Sequence, residues 1–558
     1  MAVRCPSPDH GLRPAAVLLV SLVLAVALVS VPIAAGTTAP IETAAPDESL
    51  ADDSIDSGVS ERYAADSTDD VVDETLSETG TIEVIVRLKD ATIPDSLPED
   101  DVEATLDAHA ADTQEPLLEY SAETAGITVE EEFWLTNAVV MTVDTDRVPL
   151  ETIAAFDAVD RIHENFVVSH PEPATATTTE TVDPGTSRTT WGIDQLDAPA
   201  VWEAYDTRGE GVRVAVLDTG VDPDHPDIEL HTEDPSDPTY PGGWAKFDDT
   251  GDRVAESTPY DSGIHGTHVS GTVAGGGASG TQIGVAPDVE LAHGLVLSET
   301  SGSFAQVVAG MEWAVATDSD VASMSLGVSG THQAFVDPVD NAIQSGTIVV
   351  GAIGNDGYDT SSSPGNVYDA LSVGAVDRDG SIPEFSGGTV LNRTDWTAPQ
   401  AAWPDSYTVP DVVAPGVGVT SAVPGGEYGR LPGTSMATPH VSGTIALLLS
   451  IEPDATPEAI TRAVTETVWL PENATVAEGV DRETRYGGGI VDASAAADAL
   501  SAQRAVHDSG PATTEERESA ATETESSPPF GLVGTTLLVT IGLLAALVAL
   551  LGARIVDR

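Results

Sequence analysis

Three separated segments of the sequence each carry a side chain used in nucleophilic catalysis. Asp218 follows the apolar run 214–217, and His265 opens the string His-Gly-Thr-His-Val-Ser-Gly-Thr. Ser435 lies in Gly-Thr-Ser-Met-Ala-Thr-Pro-His-Val-Ser-Gly, residues 433–443. A serine hydroxyl becomes a nucleophile when a histidine accepts its proton and an acidic side chain orients that histidine. The three segments together indicate acyl transfer through a serine nucleophile.

Each segment taken alone has a simpler interpretation. An aspartate that ends a strand is usually a turn or cap residue, a single histidine is ordinarily structural, and a serine at a helix start is most often an N-cap. The histidine string is not a zinc motif, because it reads His-x-x-His without the glutamate of a zincin. Around Ser435, the small Gly433 and Ala437 leave access for a substrate carbonyl. We expect Pro439 in the first turn of the helix, where its missing N–H is not needed.

Buried strands alternate with helices around these segments. The apolar runs predict strands at 212–217, 289–295 and 347–352, with helices after His265 and at 303–316. This alternation predicts an α/β fold with a doubly wound, mostly parallel sheet and helices on both faces. Functional residues of such sheets gather at the carboxyl ends of the strands, where the aspartate stands.

With these elements in place, the segments resemble the subtilisin-like serine proteases over residues 190–505. The order Asp, His, Ser along the chain is the order of that family and differs from chymotrypsin and the α/β-hydrolases. The resemblance implies that Asp218 orients and charge-stabilises the imidazole of His265. It implies that His265 takes the proton of Ser435 and returns it to the leaving amine, while Ser435 forms the acyl-enzyme. The implied activity is that of a serine endopeptidase, which acts on polypeptides and requires no cofactor for its chemistry.

The same resemblance assigns the groups that bind the substrate. The segment 351–357, Gly-Ala-Ile-Gly-Asn-Asp-Gly, matches the oxyanion loop, in which Asn355 donates its side-chain N–H; an ordinary turn is the alternative. Two strips of small residues match a backbone strip that pairs with an extended peptide and one wall of the pocket for the residue before the cut. They are Ser325, Leu326 and Gly327 for the first and Ala352, Ile353 and Gly354 for the second. Such strips are also common in sheets that bind nothing.

Calcium and the shape of the cleft are further expectations. Asp227 matches a calcium ligand of some relatives, which suggests structural calcium. However, the loop 275–280 that would complete the site, Gly-Gly-Gly-Ala-Ser-Gly, offers few side-chain oxygens. Ile264 stands where many relatives have a small or polar residue, so we expect it to narrow one side of the cleft.

The composition is strongly acidic. The 558 residues include 91 acidic and 22 basic side chains, for a net charge of −69, and the only lysines are Lys89 and Lys246. Since 41% of the residues are apolar, disorder does not explain this acidity. A surface this negative repels nucleic acid, so we expect no nucleic-acid partner. Acidic surfaces with few lysines resemble those of proteins from salt-loving archaea, in which cations screen the self-repulsion.

The N-terminal third predicts export and a precursor. Arg4 and Arg13 precede the apolar run 15–31, which is typical of a signal peptide at 1–35; an uncleaved anchor is the alternative. Cys5, the single cysteine, lies in it, so the mature protein would have no thiol or disulfide. Residues 36–80 form an acidic linker without a core of its own.

A small α+β unit is predicted at residues 81–170. Strands near 81–89, 127–135, 138–143 and 161–168 and helices at 101–123 and 149–158 give the ferredoxin-like order β-α-β-β-α-β. Its position before the catalytic domain resembles that of the inhibitory propeptide of subtilisin-like proteases. Residues 171–189 form an exposed, cleavable linker.

The C-terminal end predicts a membrane anchor. Residues 506–529 form an acidic stalk, and the uncharged run 530–553 is long enough to cross a bilayer. Arg554 and Arg558 follow in the tail 554–558, which places the tail in the cytoplasm and the protease outside a single-pass cell-membrane anchor. A buried core helix is one alternative, and a trimmed, lipid-attached tail as in haloarchaeal surface proteins is another.

Two other classes of function stay open at this stage, a non-catalytic binding module and a processing enzyme with few substrates. We expect a monomer that is halolysin-like, with its own propeptide as intramolecular inhibitor.

Overall fold

The computed structural model describes residues 71–508, except 77–78, 95–96, 171–179, 182, 186, 233–242, 472–473 and 475–480. The predicted signal peptide, most of the acidic linker, nearly all of the stalk and the predicted membrane helix lie outside the described residues. Within the described part of the chain, no helix is both long and apolar enough to span a membrane.

The strands of the described residues are numbered in chain order. They are β1 (Thr81–Leu88), β2 (Ile127–Phe133), β3 (Ala138–Asp144), β4 (Val159–His163), β5 (Val167–Ser169), β6 (Glu180–Thr181), β7 (Arg213–Asp218), β8 (Trp244–Lys246), β9 (Glu290–Leu295), β10 (Ser301–Ser303), β11 (Val321–Met324), β12 (Val328–Ser329), β13 (Ile348–Ala352), β14 (Ser362–Ser363), β15 (Leu371–Val376), β16 (Thr389–Asn392), β17 (Ser406–Val409), β18 (Val412–Pro415), β19 (Val419–Val423) and β20 (Glu427–Leu431).

The helices of the same residues are numbered likewise. They are α1 (Glu99–Glu123), α2 (Leu150–Ala154), α3 (Trp191–Gln195), α4 (Ala198–Tyr205), α5 (His265–Ala274), α6 (Phe304–Ala316), α7 (Val336–Gln344), α8 (Thr434–Ile451), α9 (Pro457–Glu466), α10 (Glu483–Tyr486) and α11 (Ala493–Asp508), with short 3-10 helices at Gln333–Phe335 and Arg393–Asp395.

The first four strands form an antiparallel sheet in the order β2-β3-β1-β4, the arrangement predicted for a ferredoxin-like unit. We call residues 81–163 the N-terminal sandwich. Successive side chains of a strand point to opposite faces of the sheet. Val84 and Val86 therefore pack in the core of the sandwich, whereas Ile85 joins the core that includes α6 and α7.

The prediction that residues 161–168 form one strand at the end of this unit is wrong. Strand β4 ends at His163, and β5 leaves the sheet to pair antiparallel with β10. Asn165 lies at the break, and its amide donates to the carbonyl of Asp249 at 2.9 Å and accepts the N–H of Ala305 at 2.9 Å. These contacts turn the chain away from its own sheet.

Seven parallel strands form the central sheet in the order β18-β15-β13-β11-β7-β9-β8. Helices α5 and α8 pack in the core on one face, and α6 and α7 pack in the core on the other. The predicted doubly wound fold is confirmed, with each predicted strand boundary within one residue of the observed one. The strand order brings the carboxyl ends of β7, β11 and β13 side by side.

Candidate active site

The carboxylate of Asp218 and the imidazole of His265 form a buried pair. Asp218 ends β7 with no exposed surface, and its two carboxylate oxygens lie 2.8 and 3.0 Å from Nδ1 of His265. Burial would raise the pKa of Asp218, but the neighbouring His265 and the N–H of Thr219 hold that pKa below its usual value. A charged carboxylate at Nδ1 fixes the proton there, so that Nε2 is left as the basic nitrogen.

Glycines let α5 begin directly against the turn after β7. A Cβ atom on Gly266 would lie 2.1 Å from the carbonyl oxygen of Gly220, closer than atoms can approach. The N–H of Gly266 donates to Oγ1 of Thr219 at 2.9 Å. The pattern His-Gly-Thr thus places the first residue of the helix beside the last residue of the strand.

Ser435 is the second residue of α8 and lies beside the carboxyl end of β11. Its carbonyl accepts the hydroxyl of Ser325 at 2.8 Å, and its own Oγ lies 3.4 Å from the carbonyl of Ser325. Pro439 is the sixth residue of α8, so the expectation that it falls in the first turn is wrong. Since proline lacks the N–H that would bond to the carbonyl of residue 435, that carbonyl is available to Ser325. The proline therefore helps to tie the serine helix to β11.

Asn355 lies three residues beyond β13, with its amide held by the start of α8. Its Oδ1 accepts both the N–H and the hydroxyl of Thr434, each at 3.0 Å. These two donors identify Oδ1 and direct Nδ2 the opposite way, where it would lie 3.3 Å from a Cβ atom on Gly433. The N–H of Ser435 has no partner within the helix, as at any helix start. Nδ2 of Asn355 and the backbone N of Ser435 lie 3.3 and 3.6 Å from this same Cβ position of Gly433. These two N–H donors therefore border one space beside Ser435.

The two predicted substrate strips lie at the same edge of the sheet. Ser325, Leu326 and Gly327 directly follow β11, and Ala352, Ile353 and Gly354 span the end of β13. All six of these residues are buried. Ile264 precedes α5 with 38% of its surface exposed. The tertiary structure brings the predicted catalytic and binding residues to one cleft, and their roles stay predictions.

Residues 167–170, which include the end of the last strand predicted for the N-terminal unit, occupy this cleft. Strand β5 lies between β10 and Gly327, and Ser169 exchanges two backbone hydrogen bonds with Gly327, at 2.7 and 3.1 Å. The next residue, His170, donates its N–H to the carbonyl of Thr300 at 3.2 Å. Its ring stacks on His265 with a centroid distance of 4.4 Å and an interplanar angle of 11°. The sequence predicted a strand at 161–168 but could not say which sheet its last residues join.

Asp227, the predicted calcium ligand, has hydrogen-bond donors as its partners. Its Oδ2 accepts the hydroxyl of Tyr428 at 2.6 Å, and its Oδ1 accepts the N–H of Ala278 at 2.5 Å. A calcium ion requires six to eight oxygen ligands, and no group of three or more acidic, histidine or cysteine side chains among the described residues could hold a metal. Both carboxylate oxygens of Asp227 are thus engaged by hydrogen-bond donors, which favours a hydrogen-bonding role for this side chain over a calcium site.

The sequence pattern of the subtilase family matches residues 209–489. The chain belongs to the subtilase family. Subtilisin E of Bacillus subtilis (strain 168) is 36% identical over 314 residues, which cover 55% of this chain and 71% of that protein. A subtilisin of Bacillus pumilus is 38% identical over 270 residues, or 47% of this chain and 85% of that protein. An intracellular serine protease of Paenibacillus polymyxa is 36% identical over 293 residues, or 50% and 80%.

This subtilase is a subtilisin-like serine endopeptidase, a hydrolase that acts on peptide bonds. Subtilases need no cofactor for catalysis, in agreement with the sequence prediction.

Proposed function

We propose that this subtilase is made as a self-inhibited precursor and acts as a membrane-anchored, extracellular endopeptidase at high salt. The observation that carries the proposal is the course of residues 167–170 through the cleft. An extended chain that pairs with both sides of a protease cleft occupies it as a substrate would. The ring of His170 covers His265, so a second polypeptide has no access while this segment remains in place.

In the proposed mechanism, Nε2 of His265 takes the proton of Ser435 Oγ as that oxygen attacks the substrate carbonyl. The tetrahedral oxyanion accepts hydrogen bonds from Nδ2 of Asn355 and the N–H of Ser435. The imidazolium, stabilised by Asp218, donates its proton to the leaving amine and leaves the acyl-enzyme. Water then attacks the acyl-enzyme with His265 again as base, which releases the acid product and restores the serine.

Contacts of the N-terminal sandwich with the catalytic domain support its role as an inhibitory propeptide. The carboxyl group of Glu312, on α6, accepts the N–H groups of Trp134 and Leu135 at 2.8 and 2.9 Å. Arg87 forms an ion pair with Asp337 of α7. These contacts hold the sandwich over α6 and α7 while its last residues enter the cleft.

The charge of the chain supports adaptation to salt. The chain carries 91 acidic and 22 basic residues, so carboxylates on its surface repel one another at low ionic strength. Raising the ionic strength from 0.1 M to 1 M shortens the screening length from about 10 Å to about 3 Å. Concentrated salt would therefore relieve this repulsion. Membrane anchoring and the extracellular location rest on residues 530–553 and the arginines that follow them.

The test compares the exported full-length chain with Ser435→Ala. We expect the wild-type chain to lose its N-terminal region and to hydrolyse casein at a rate that rises with salt, in the membrane fraction. Ser435→Ala should stay uncut and inactive. Ser442→Ala, a second buried serine of α8 that bonds to Ser323, is the matched control and should be processed normally. Normal processing of Ser435→Ala in a host that lacks other proteases would refute self-cleavage.

A further inference from the structure

His293 is a fully buried histidine directly behind the catalytic pair. It lies in β9, the neighbour of β7 in the central sheet, where it pairs with Val216. Its ring contacts the two elements that carry Asp218 and His265. The mechanism above does not use it, and a buried imidazole in a parallel strand needs polar partners that an apolar residue would not.

Two hydrogen bonds fix the protonation of this ring. The backbone N–H of Gly220 donates to Nε2 of His293 at 3.1 Å, and Nδ1 lies 2.9 Å from the hydroxyl of Ser270. Because a backbone N–H can only donate, Nε2 must be unprotonated, and the neutral ring carries its proton on Nδ1. Burial lowers the pKa of His293 to about 4, which keeps the ring neutral at higher pH.

The ring therefore bridges the turn after β7 and the second turn of α5. Gly220 is two residues beyond Asp218, and Ser270 is five residues beyond His265. A Cβ atom on Gly266 would lie 3.0 Å from Cε1 of His293, so the ring also packs beneath the start of α5.

We propose that His293 is a positioning residue that sets the spacing between Asp218 and His265. Its two hydrogen bonds hold the strand end and the helix so that both carboxylate oxygens stay at 2.8 and 3.0 Å from Nδ1. The proposal rests on the catalytic roles proposed above for these two residues. In this role His293 acts through the turn after β7 and through α5, the two segments that its ring connects.

The test measures kcat and KM separately for variants of His293, each produced as the full-length chain and assayed after processing. In His293→Val, the N–H of Gly220 loses its acceptor, and we expect kcat to fall about tenfold with KM unchanged, since small displacements of reacting groups are costly. His293→Gln places an amide oxygen where Nε2 was, and should recover most of kcat. Trp244→Phe is the control, because Trp244 packs on the His293 ring at 6.1 Å and is not part of the bridge. It should lower the melting temperature without changing kcat.

A double-mutant cycle tests the bridge. Ser270→Ala should lower kcat by itself. The double variant with His293→Val should be no slower than His293→Val alone, because both changes break the same connection between the turn after β7 and α5. If His293→Val does not fold, the kcat values of Ser270→Ala and His293→Gln test the proposal in its place. An unchanged kcat in both Ser270→Ala and His293→Val, or a loss in His293→Val that tracks its stability and that glutamine does not recover, would overturn the proposal. Ser435→Ala reports separately on the proposed function, since its inactivity does not depend on His293.

Discussion

The hydrogen bonds of Glu312 predict how pH acts on the contact between the N-terminal sandwich and the catalytic domain. Glu312 accepts two backbone N–H groups of the sandwich, from Trp134 and Leu135. Burial raises the pKa of Glu312 to about 8, although these two N–H groups act in the opposite direction. The group is thus protonated in the folded precursor at pH values where a solvated glutamate is charged.

The magnitude follows from these contacts. Removing the acceptor in Glu312→Ala leaves two N–H groups without their partner, at about 1–3 kcal/mol for each that water does not reach. We therefore expect a loss of about 2–6 kcal/mol in the free energy of unfolding, and a smaller loss if water enters the site. Glu312→Gln keeps an acceptor oxygen and cannot ionise, so it should be close to wild type at low pH.

The sign of the pH dependence comes from the raised pKa. A carboxyl group whose pKa is higher in the folded state contributes stability below its unfolded pKa of 4.5 and loses it as the pH rises through about 8. Between these values the wild type should lose stability relative to Glu312→Gln, by at most about 1.4 kcal/mol per pH unit.

The assay is denaturant unfolding of the uncleaved Ser435→Ala chain at constant high salt, from pH 4.5 to 8.5, with and without each Glu312 substitution. Parallel pH curves for glutamate and glutamine at this position would refute the reasoning about burial. Equal stability of Glu312→Ala and Glu312→Gln would show that the two N–H contacts contribute nothing.

Two further predictions concern the cleft and the predicted calcium site. Asn355→Leu removes the side-chain donor to the oxyanion and should lower kcat about 10²–10³-fold with little change in KM, a magnitude known for this same family; a change confined to KM in steady-state kinetics would contradict the role. Tyr428→Phe removes the hydroxyl that binds Asp227 and should lower the melting temperature, whereas chelator or added calcium should leave the wild-type value unchanged. Heat of calcium binding in a calorimetric titration, lost in Asp227→Asn, would instead show a metal there.

Much of the central fold could be predicted from the sequence. The apolar runs that became β7, β9 and β13 are buried on both faces, and a parallel sheet covered by helices is the structure that needs such strands. The strings around His265 and Ser435 also predicted helices with small residues at their starts, and both helices begin there. These are local patterns, so they can be recognised without knowing what packs against them.

The predictions that were wrong concern segments whose structure depends on a contact with a residue distant in sequence. A strand at residues 161–168 is compatible with either sheet. The contacts of Asn165 with Asp249 and Ala305 direct the second half of this segment into the cleft. Pro439 stands deeper in α8 than expected, because Ser325 supplies a donor to the carbonyl that the proline leaves without one. Neither partner is near in sequence.

The sequence alone determined the kind of chemistry, because the three side chains of a triad stand in long strings that a sheet of this type brings together at one edge. Only the tertiary structure decided the geometry and the occupant of the cleft. The distance from Asp218 to His265, the orientation of the Asn355 amide and the stacking of His170 depend on contacts between residues that lie tens of positions apart. Such contacts leave no period or motif in the sequence, since they require only that two surfaces meet when the chain folds.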